Sequence, residues 1–330
     1  MKRVIACDLF THLQLYKIPD EFLRGLNARF PDFEIVPVNC PGYSPTIKEA
    51  EIFWGNRLKA DMLSGFPALR WIHFGSIGIG DLRKSRALEL QIIVTNSRGT
   101  CEKAVALTAL GFLLGLSRGL KVSSELASRS DFSREAFDSY FGNVSDFSEG
   151  YRALVLGYGQ IGVIFGAYLT CLGIPYDIVV ADKKKQRSGG YKAAFELRDL
   201  PQIVGDYDVV VDILPLTDLT KGVFGSSMFN QMKATSFFIN VGRGETVVEE
   251  DLIQAIREKR IAGAGLDVFQ MEPLARSSPL LGLDNVMISP HVGAMSRAYW
   301  EKEIALFSEN LELYVNGGRL KNIVHLARGY

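Results

Sequence analysis

The sequence predicts an α/β protein built of two doubly wound parallel-sheet domains. Two series of short apolar runs alternate with helical stretches, and at about 150 residues per domain a length of 330 suits two such units. Most of the runs are continuously apolar rather than alternating, as strands covered by helices on both faces should be.

The first series comprises residues 3–7, 34–38, 50–54, 71–75 and 91–95, each rich in β-branched or aromatic side chains. Residues 104–117 follow, uncharged between Lys103 and Arg118, too short for a bilayer but right for a buried helix crossing between domains. Residues 121–150 are rich in Ser, Asp, Phe and Glu with weak periodicity and read as helix plus loop. The second series comprises residues 152–156, 178–181, 208–213, 236–241, 263–268 and 286–289. Residues 153–176 carry no charge and could span a bilayer by length, but five glycines and Pro175 interrupt them, which suits strand, turn and helix better. Beyond His291, residues 296–314 show helical spacing at Tyr299, Ile304, Phe307 and Leu311 and return the chain to its first domain. The expected division is 1–96 and 294–330 for one domain and 97–293 for the other. No internal repeat or low-complexity tract interrupts this plan.

Composition narrows the function classes. With 37 basic and 37 acidic residues the net charge is zero, so the basic surplus of a nucleic-acid binder is missing. Hydrophobic residues at 47% and charged residues at 22% exclude disordered and disulfide-scaffold chains. Cys7, Cys40, Cys101 and Cys171 are far apart and form no Cys-x-x-Cys pair, which points to reduced thiols in a cytoplasm and to no metal centre. The N-terminal run reaches Asp8 too soon for an export signal, and no membrane association is expected.

Gly157-Tyr158-Gly159-Gln160-Ile161-Gly162 follows the strand 152–156 and opens a helical stretch, the context of a dinucleotide-binding turn. The first glycine allows a tight turn, the second a close approach to a pyrophosphate, and the third close packing of helix on strand. The helix N-terminus then offers free N–H groups to the phosphates. Asp182 ends the next strand twenty residues after Gly162, where a carboxylate meets ribose hydroxyls and repels a 2′-phosphate. This argues for NAD over NADP. Lys183, Lys184, Lys185 and Arg187 read as a solvated charge run, with a phosphate clamp for NADP as the alternative.

In open parallel sheets ligands bind beyond the carboxyl ends of the strands, so reactive side chains just after the later strands are candidates. Arg243 follows 236–241 between Gly242 and Gly244, Glu272 follows 263–268, and His291 follows 286–289 beside Gly293. The other three histidines are assigned no role: His12 and His325 lie near the termini, and His73 alternates with Ile72 and Phe74 as a core residue would. Reducing a ketone by hydride needs a proton donor at oxygen, for which histidine is suited near neutral pH. A neighbouring glutamate favours the imidazolium, and an arginine grips a carboxylate through paired hydrogen bonds. A structural ion pair on the sheet edge is the competing reading.

Taken in order, these motifs resemble the D-isomer-specific 2-hydroxyacid dehydrogenase family, which includes glyoxylate/hydroxypyruvate reductases, D-lactate dehydrogenases and phosphoglycerate dehydrogenases. The resemblance covers residues 69–324. It rests on the glycine fingerprint, Leu214-Pro215-Leu216-Thr217 with Thr220, Met232-Lys233, Asn240-Val241-Gly242-Arg243-Gly244, Asp267-Val268 with Glu272-Pro273, and Ser289-Pro290-His291. It implies a Rossmann NAD-binding domain inserted into a flavodoxin-like substrate domain, with the active site in the cleft. It also implies Arg243 as the substrate-orienting arginine, Glu272 as the partner of the histidine and His291 as acid/base. Gln160, Ile161, Asp182, Leu214, Pro215, Thr220, Val241 and Asp267 would line the cofactor, together with Gly157, Tyr158, Gly159, Gly162, Lys183, Gly242, Arg243, His291 and Gly293. Ser76-Ile77-Gly78 matches the loop whose amides hold the substrate carboxylate, alongside Arg243 and His291. The implied partners are a 2-oxo or 2-hydroxy acid and a second copy of the chain.

The sequence departs from the family pattern in three places. Leu107 replaces a glutamate common in the crossover helix, about two extra residues precede Asp182, and residues 121–150 lack a tryptophan often found there. A dinucleotide-sensing binding protein with the same fold and little turnover is the rival reading. Formate-dehydrogenase-like chemistry is disfavoured, because such family members carry glutamine where Glu272 stands.

Overall fold

Strands form where Val, Ile, Phe and Trp run together, and every strand pair in the computed structural model is parallel. The structure describes residues 2–9, 17–38, 45–80, 82, 87, 91–145, 150–181 and 188–326. The chain divides into two units, Met1–Cys101 with Met295–Tyr330, and Glu102–Ala294.

The first unit holds β1 (Arg3–Cys7), β2 (Phe33–Pro37), β3 (Ala50–Gly55), β4 (Trp71–Phe74) and β5 (Ile93–Asn96) in the order β2-β1-β3-β4-β5. This is the flavodoxin-like order. Helix α1 (Asp20–Arg29) joins β1 to β2, and the returning helix, α9 (Ala298–Val315), packs on the same sheet. There Phe307 stacks on Trp54 with ring centroids 3.9 Å apart, and Glu303 accepts the Trp54 indole N–H at 2.9 Å. Burying Phe307 alone contributes on the order of 2 kcal/mol, which ties the last helix to the first strands.

Ser97–Cys101 belong to this unit, a correction to the division at residue 97. The Ser97 hydroxyl donates to the Phe74 carbonyl at 2.7 Å, and the Thr100 hydroxyl to the Ser97 carbonyl at 2.7 Å, so the segment stays bonded to β4 before the crossover helix begins. At the other end the boundary falls after Ala294.

The second unit opens with the crossover helix α2 (Glu102–Ser117) and two further helices, α3 (Leu120–Ser128) and α4 (Glu135–Phe141). The described residues of 121–150 thus contain most of α3 and all of α4, with loop between and after them. The sheet comprises β6 (Ala153–Leu156), β7 (Tyr176–Val180), β8 (Ala194–Glu196), β9 (Val209–Asp212), β10 (Phe237–Asn240), β11 (Gly263–Leu266) and β12 (Val286–Ile288), in the order β12-β11-β10-β9-β6-β7-β8. This is the Rossmann order with one further strand at an edge, and its direction reverses between β6 and β9. Strand β8 was not anticipated, since three half-buried residues carry no apolar run.

Four further helices cover the sheet: α5 (Gln160–Cys171), the single turns α6 (Leu200–Ile203) and α7 (Ser226–Phe229), and α8 (Glu249–Arg257). Helix α2 lies on β10 and β11, with Phe112 filling the space over Gly265, where a Cβ would stand 2.6 Å from the Phe112 Cβ. The uncharged stretch 153–176 becomes β6, α5 and the start of β7. Among the described residues no single helix is long and apolar enough to cross a membrane.

Candidate active site

The glycine turn sits beyond β6, at the point where the strand order reverses. Gly157 has φ +90°, a left-handed conformation that side chains resist, and a Cβ there would lie 2.7 Å from the Ile213 carbonyl oxygen. At Gly162 a Cβ would lie 2.4 Å from the Gly157 carbonyl oxygen, so helix and turn pack with no room for a side chain. Gly159 differs: nothing stands within 4 Å of a Cβ, so protein packing does not explain its glycine. That open space at the N-terminus of α5 is what a pyrophosphate needs, so the turn fits a dinucleotide.

Of the other residues expected to line the cofactor, Gln160 and Pro215 are exposed, Ile161 is half-buried, and Leu214 and Val241 are buried. Tyr158 turns its side chain into the core, with its hydroxyl 2.9 Å from that of Tyr176, leaving its backbone to serve a ligand. The Thr220 hydroxyl donates to the Pro215 carbonyl at 2.7 Å and accepts the Thr217 amide at 2.8 Å, bracing the loop after β9 from within. Asp182 and Lys183 lie outside the described residues.

Arg243, Glu272 and His291 follow β10, β11 and β12, three neighbouring strands, and the fold brings them together. His291 Nδ1 lies 2.6 Å from Glu272 Oε2, and the second Glu272 oxygen accepts the Phe269 amide at 3.0 Å. Burial pushes the Glu272 carboxyl up, but the His291 and Phe269 hydrogen bonds and the charges of His291 and Arg243 outweigh it and hold the group below its ordinary value. With Nδ1 engaged by Glu272, Nε2 is the nitrogen through which the ring would exchange a proton with a ligand.

Buried polar groups hold these side chains in place. His291 has φ 53°, and its amide is secured by the Asp267 carbonyl at 2.8 Å and the Ser289 carbonyl at 3.0 Å. The Asp267 carboxylate accepts the Ser289 hydroxyl at 2.6 Å, the Val292 amide at 2.9 Å and the Gly293 amide at 2.9 Å. Behind Arg243, Asn240 Oδ1 accepts the Gly242 amide at 2.9 Å while its Nδ2 donates to the Arg243 carbonyl at 3.1 Å. Thr246 Oγ1 lies 2.6 Å from that carbonyl and 2.6 Å from Asp212 Oδ2. Gly244 admits nothing larger, since a Cβ would stand 1.9 Å from the Phe269 carbonyl group.

Sequence reasoning assigned Asp267 only to the cofactor and missed Asp212, Asn240 and Thr246. The available signal was polarity at the ends of apolar runs: Asp212 after three valines, Asn240 after Phe237-Phe238-Ile239, and Asp267 after Leu266.

The loop Ser76-Ile77-Gly78 follows β4 in the first unit. Its carbonyls are occupied: that of Ser76 by the Ser97 amide at 3.1 Å, that of Ile77 by Asn96 Nδ2 at 2.7 Å, and that of Gly78 by the Ser76 hydroxyl at 2.8 Å. The loop's shape is therefore fixed from behind. His73 is fully buried, with Nδ1 2.7 Å from Thr95 Oγ1 and Nε2 3.3 Å from Glu303, as a satisfied core residue should be. His325 is exposed, and His12 lies outside the described residues.

Comparison with known proteins agrees with this geometry. A family profile described as "D-isomer specific 2-hydroxyacid dehydrogenase, NAD binding domain" matches residues 110–293. Glyoxylate/hydroxypyruvate reductase B of Klebsiella pneumoniae is 29% identical over 318 residues, covering 94% of this chain and 97% of that protein. A D-isomer specific 2-hydroxyacid dehydrogenase family protein from Aeromonas salmonicida superposes with a TM-score of 0.79 at 25% identity, covering 99% of this chain and 100% of that one. The NADPH-dependent glyoxylate/hydroxypyruvate reductase SmGhrB of Sinorhizobium meliloti, solved with NADP and malonate, has the same fold, with a TM-score of 0.80 at 24% identity and coverage of 99% and 98%. Rossmann strand order, a glycine turn shaped for a dinucleotide and the match across the second unit lead to one conclusion: the chain belongs to the D-isomer specific 2-hydroxyacid dehydrogenase family, enzymes acting on CH–OH with NAD(P).

Proposed function

We propose that this enzyme interconverts a 2-oxo acid and the D-2-hydroxy acid, with His291 as acid/base, Glu272 as its partner and Arg243 as the substrate-orienting cation. The observation that carries this reading is the 2.6 Å pair of His291 Nδ1 and Glu272 Oε2, set on neighbouring strand ends beside Arg243. The nicotinamide cofactor, when bound, supplies or accepts the hydride. Arg243 grips the substrate carboxylate through its planar fork, and His291 Nε2 gives a proton to the carbonyl oxygen during reduction and takes it back in the reverse direction. Glu272 fixes the ring orientation and stabilises the imidazolium. The family resemblance assigns the amides of Ser76, Ile77 and Gly78 to binding a substrate carboxylate.

NADH is the proposed cofactor because Asp182 would accept the ribose hydroxyls and repel a 2′-phosphate. The NADP bound to SmGhrB and the cationic run 183–187 support NADPH as a second reading. The relatives' names make glyoxylate and hydroxypyruvate the first substrates to try.

A homodimer built on α2 accounts for the solvent-facing Leu107, 48% exposed, and for Gly111, around which a Cβ would meet nothing within 4 Å. Gly111→Arg should then yield a monomer by sedimentation velocity.

The test of function is loss of NADH absorbance with glyoxylate, hydroxypyruvate, pyruvate, phenylpyruvate and branched 2-oxo acids, repeated with NADPH. Turnover by wild type, with His291→Gln slower by at least about 100-fold while still binding NADH, is the expected result. Wild-type rates in that variant would remove His291 from its role. Silence across the panel with NADH binding intact would favour a dinucleotide sensor.

A further inference from the structure

Asp212 ends β9 with no exposed surface, and its register neighbours are Leu156 on β6 and Asn240 on β10, both uncharged. Oδ1 accepts the Leu214 amide at 2.9 Å, and Oδ2 faces Thr246 Oγ1 at 2.6 Å. The same Oγ1 lies 2.6 Å from the Arg243 carbonyl oxygen. A threonine hydroxyl has one proton to donate. It cannot give that one proton fully to a carboxylate and to a carbonyl at once, and both 2.6 Å contacts become hydrogen bonds when the carboxyl carries a proton of its own.

We propose that Asp212 is a positioning residue held as the neutral acid, whose Oδ2–H donates to Thr246 Oγ1 so that Thr246 donates to the Arg243 carbonyl and fixes the turn bearing the substrate-orienting guanidinium. The proposal rests on the reading of Arg243 as the residue that grips the substrate carboxylate. Burial, opposed by the hydrogen bonds from Thr246 and the Leu214 amide, pushes the Asp212 carboxyl up to about 7. The charged residues of the adjoining segments are Arg243 and Glu245 in the turn, and Asp218 and Lys221 in the loop after β9. As the pH rises past about 7 the Asp212 proton leaves, and the Thr246 hydroxyl swings to the carboxylate. The Arg243 carbonyl then keeps Asn240 Nδ2 at 3.1 Å. The turn loosens where substrate is bound, so KM rises while kcat at saturating substrate is retained. Asp212→Asn preserves the neutral pattern at every pH, because its amide N–H donates to Thr246 and its oxygen accepts from Leu214.

Two readouts test this on the full chain with bound NADH. Infrared difference spectra of wild type against Asp212→Asn should show a carboxylic-acid carbonyl band at about pH 5.5 that is lost by about pH 8.5. Over the same range wild-type KM for the 2-oxo acid should rise about 10-fold, whereas KM of Asp212→Asn stays flat. Thr246→Val breaks the relay at its middle, raising KM at every pH and shifting the acid band, and Thr246→Ser restores both. Absence of an acid band assignable to Asp212 at the acidic end, or a KM profile that Asp212→Asn leaves unchanged, would overturn the proposal. Failure to turn over any 2-oxo acid would instead strike the dehydrogenase reading, and the band with its response to Thr246→Val would still decide the relay.

Discussion

Asp267→Ala should disable the enzyme although the carboxylate is only 2% exposed and its hydrogen bonds go to the turn at residues 289–293. The substitution removes the acceptor for the Ser289 hydroxyl and for the Val292 and Gly293 amides. A hydroxyl can rotate to another partner, but the buried Gly293 amide left without an acceptor costs about 1–3 kcal/mol and the half-buried Val292 amide up to as much again, so the two cost about 1–6 kcal/mol. The turn also holds His291 at φ 53°, a left-handed conformation worth about 1–2 kcal/mol of strain that relaxes once the anchor is gone. Relaxation would carry the imidazole away from its 2.6 Å contact with Glu272. At about 2–4 °C per kcal/mol for a domain of this size, a mid-range loss of about 4 kcal/mol lowers Tm by about 8–16 °C. A displacement of the ring by about 1 Å lowers kcat/KM by about 100-fold. Asp267→Asn, with its oxygen in place of Oδ1, keeps the Ser289 and Val292 bonds and the 3.1 Å bond of the Gly293 amide, and loses only the Oδ2 bond to that amide, so its loss should fall below half. Thermal melts with and without NADH, beside steady-state kinetics with the best 2-oxo acid, make the measurement. If Asp267→Ala melted within about 1 °C of wild type and kept its kcat/KM, the turn would not depend on this carboxylate and the argument would fail.

Further outcomes follow from the same geometry. Gly244→Ala places a Cβ 1.9 Å from the Phe269 carbonyl group, where no flexible side chain can yield, so a loss of about 3 kcal/mol and a raised KM are expected from urea denaturation and kinetics. Glu272 is held below its ordinary value, so its stabilising effect is fully present above the ordinary glutamate range and is lost as the pH falls from that range through the lowered value of the folded state; the melting temperatures of wild type and Glu272→Gln should converge in acid. The same substitution should lower kcat at neutral pH on the order of 10-fold or more. Asp212 has the opposite sign: its raised value makes ionisation costly, so Asp212→Asn should gain on wild type in stability as the pH rises from the ordinary aspartate range to about 7, by a few kcal/mol at most, which a pH series of melts would register.

Much of this site was visible in the sequence because its parts obey local rules. The glycine turn is set by steric limits at Gly157 and Gly162 and by the space left at Gly159, and Arg243, Glu272 and His291 can be found by asking which reactive residues follow apolar strands. The placement of Ser97–Cys101 was less visible, because it depends on hydrogen bonds to β4 and not on hydrophobic pattern. Strand β8 escaped for a related reason: an edge strand of three half-buried residues is defined by pairing with β7, not by its own side chains. Tyr158 occupies a fingerprint position, yet its aromatic body prefers the core beside Tyr176 and Tyr191, a choice that no spacing rule records. Asp212 and Asn240 looked like ordinary strand-end polar residues and Thr246 like an ordinary turn residue, because their partners lie in different segments.

The arrangement of this site follows from sheet order. Parallel neighbours lie about 4.8 Å apart, so the ends of β10, β11 and β12 place three successive loops within side-chain reach of one another. Arginine, glutamate and histidine at those ends need no long-range contrivance to meet, but loops so close to a sheet edge leave backbone groups that apolar strands cannot satisfy. The buried polar residues at those strand ends meet that need: Asp267 holds the histidine turn, while Asn240 and Asp212, the latter through Thr246, hold the arginine turn. Loops free to move would lose the mutual alignment of these three side chains, whereas the arginine and histidine turns are each held by buried polar side chains at the ends of neighbouring strands. Exposed loops can therefore vary without disturbing Arg243 or His291, because the residues that fix those two, Asp212, Asn240, Thr246 and Asp267, are buried beneath them.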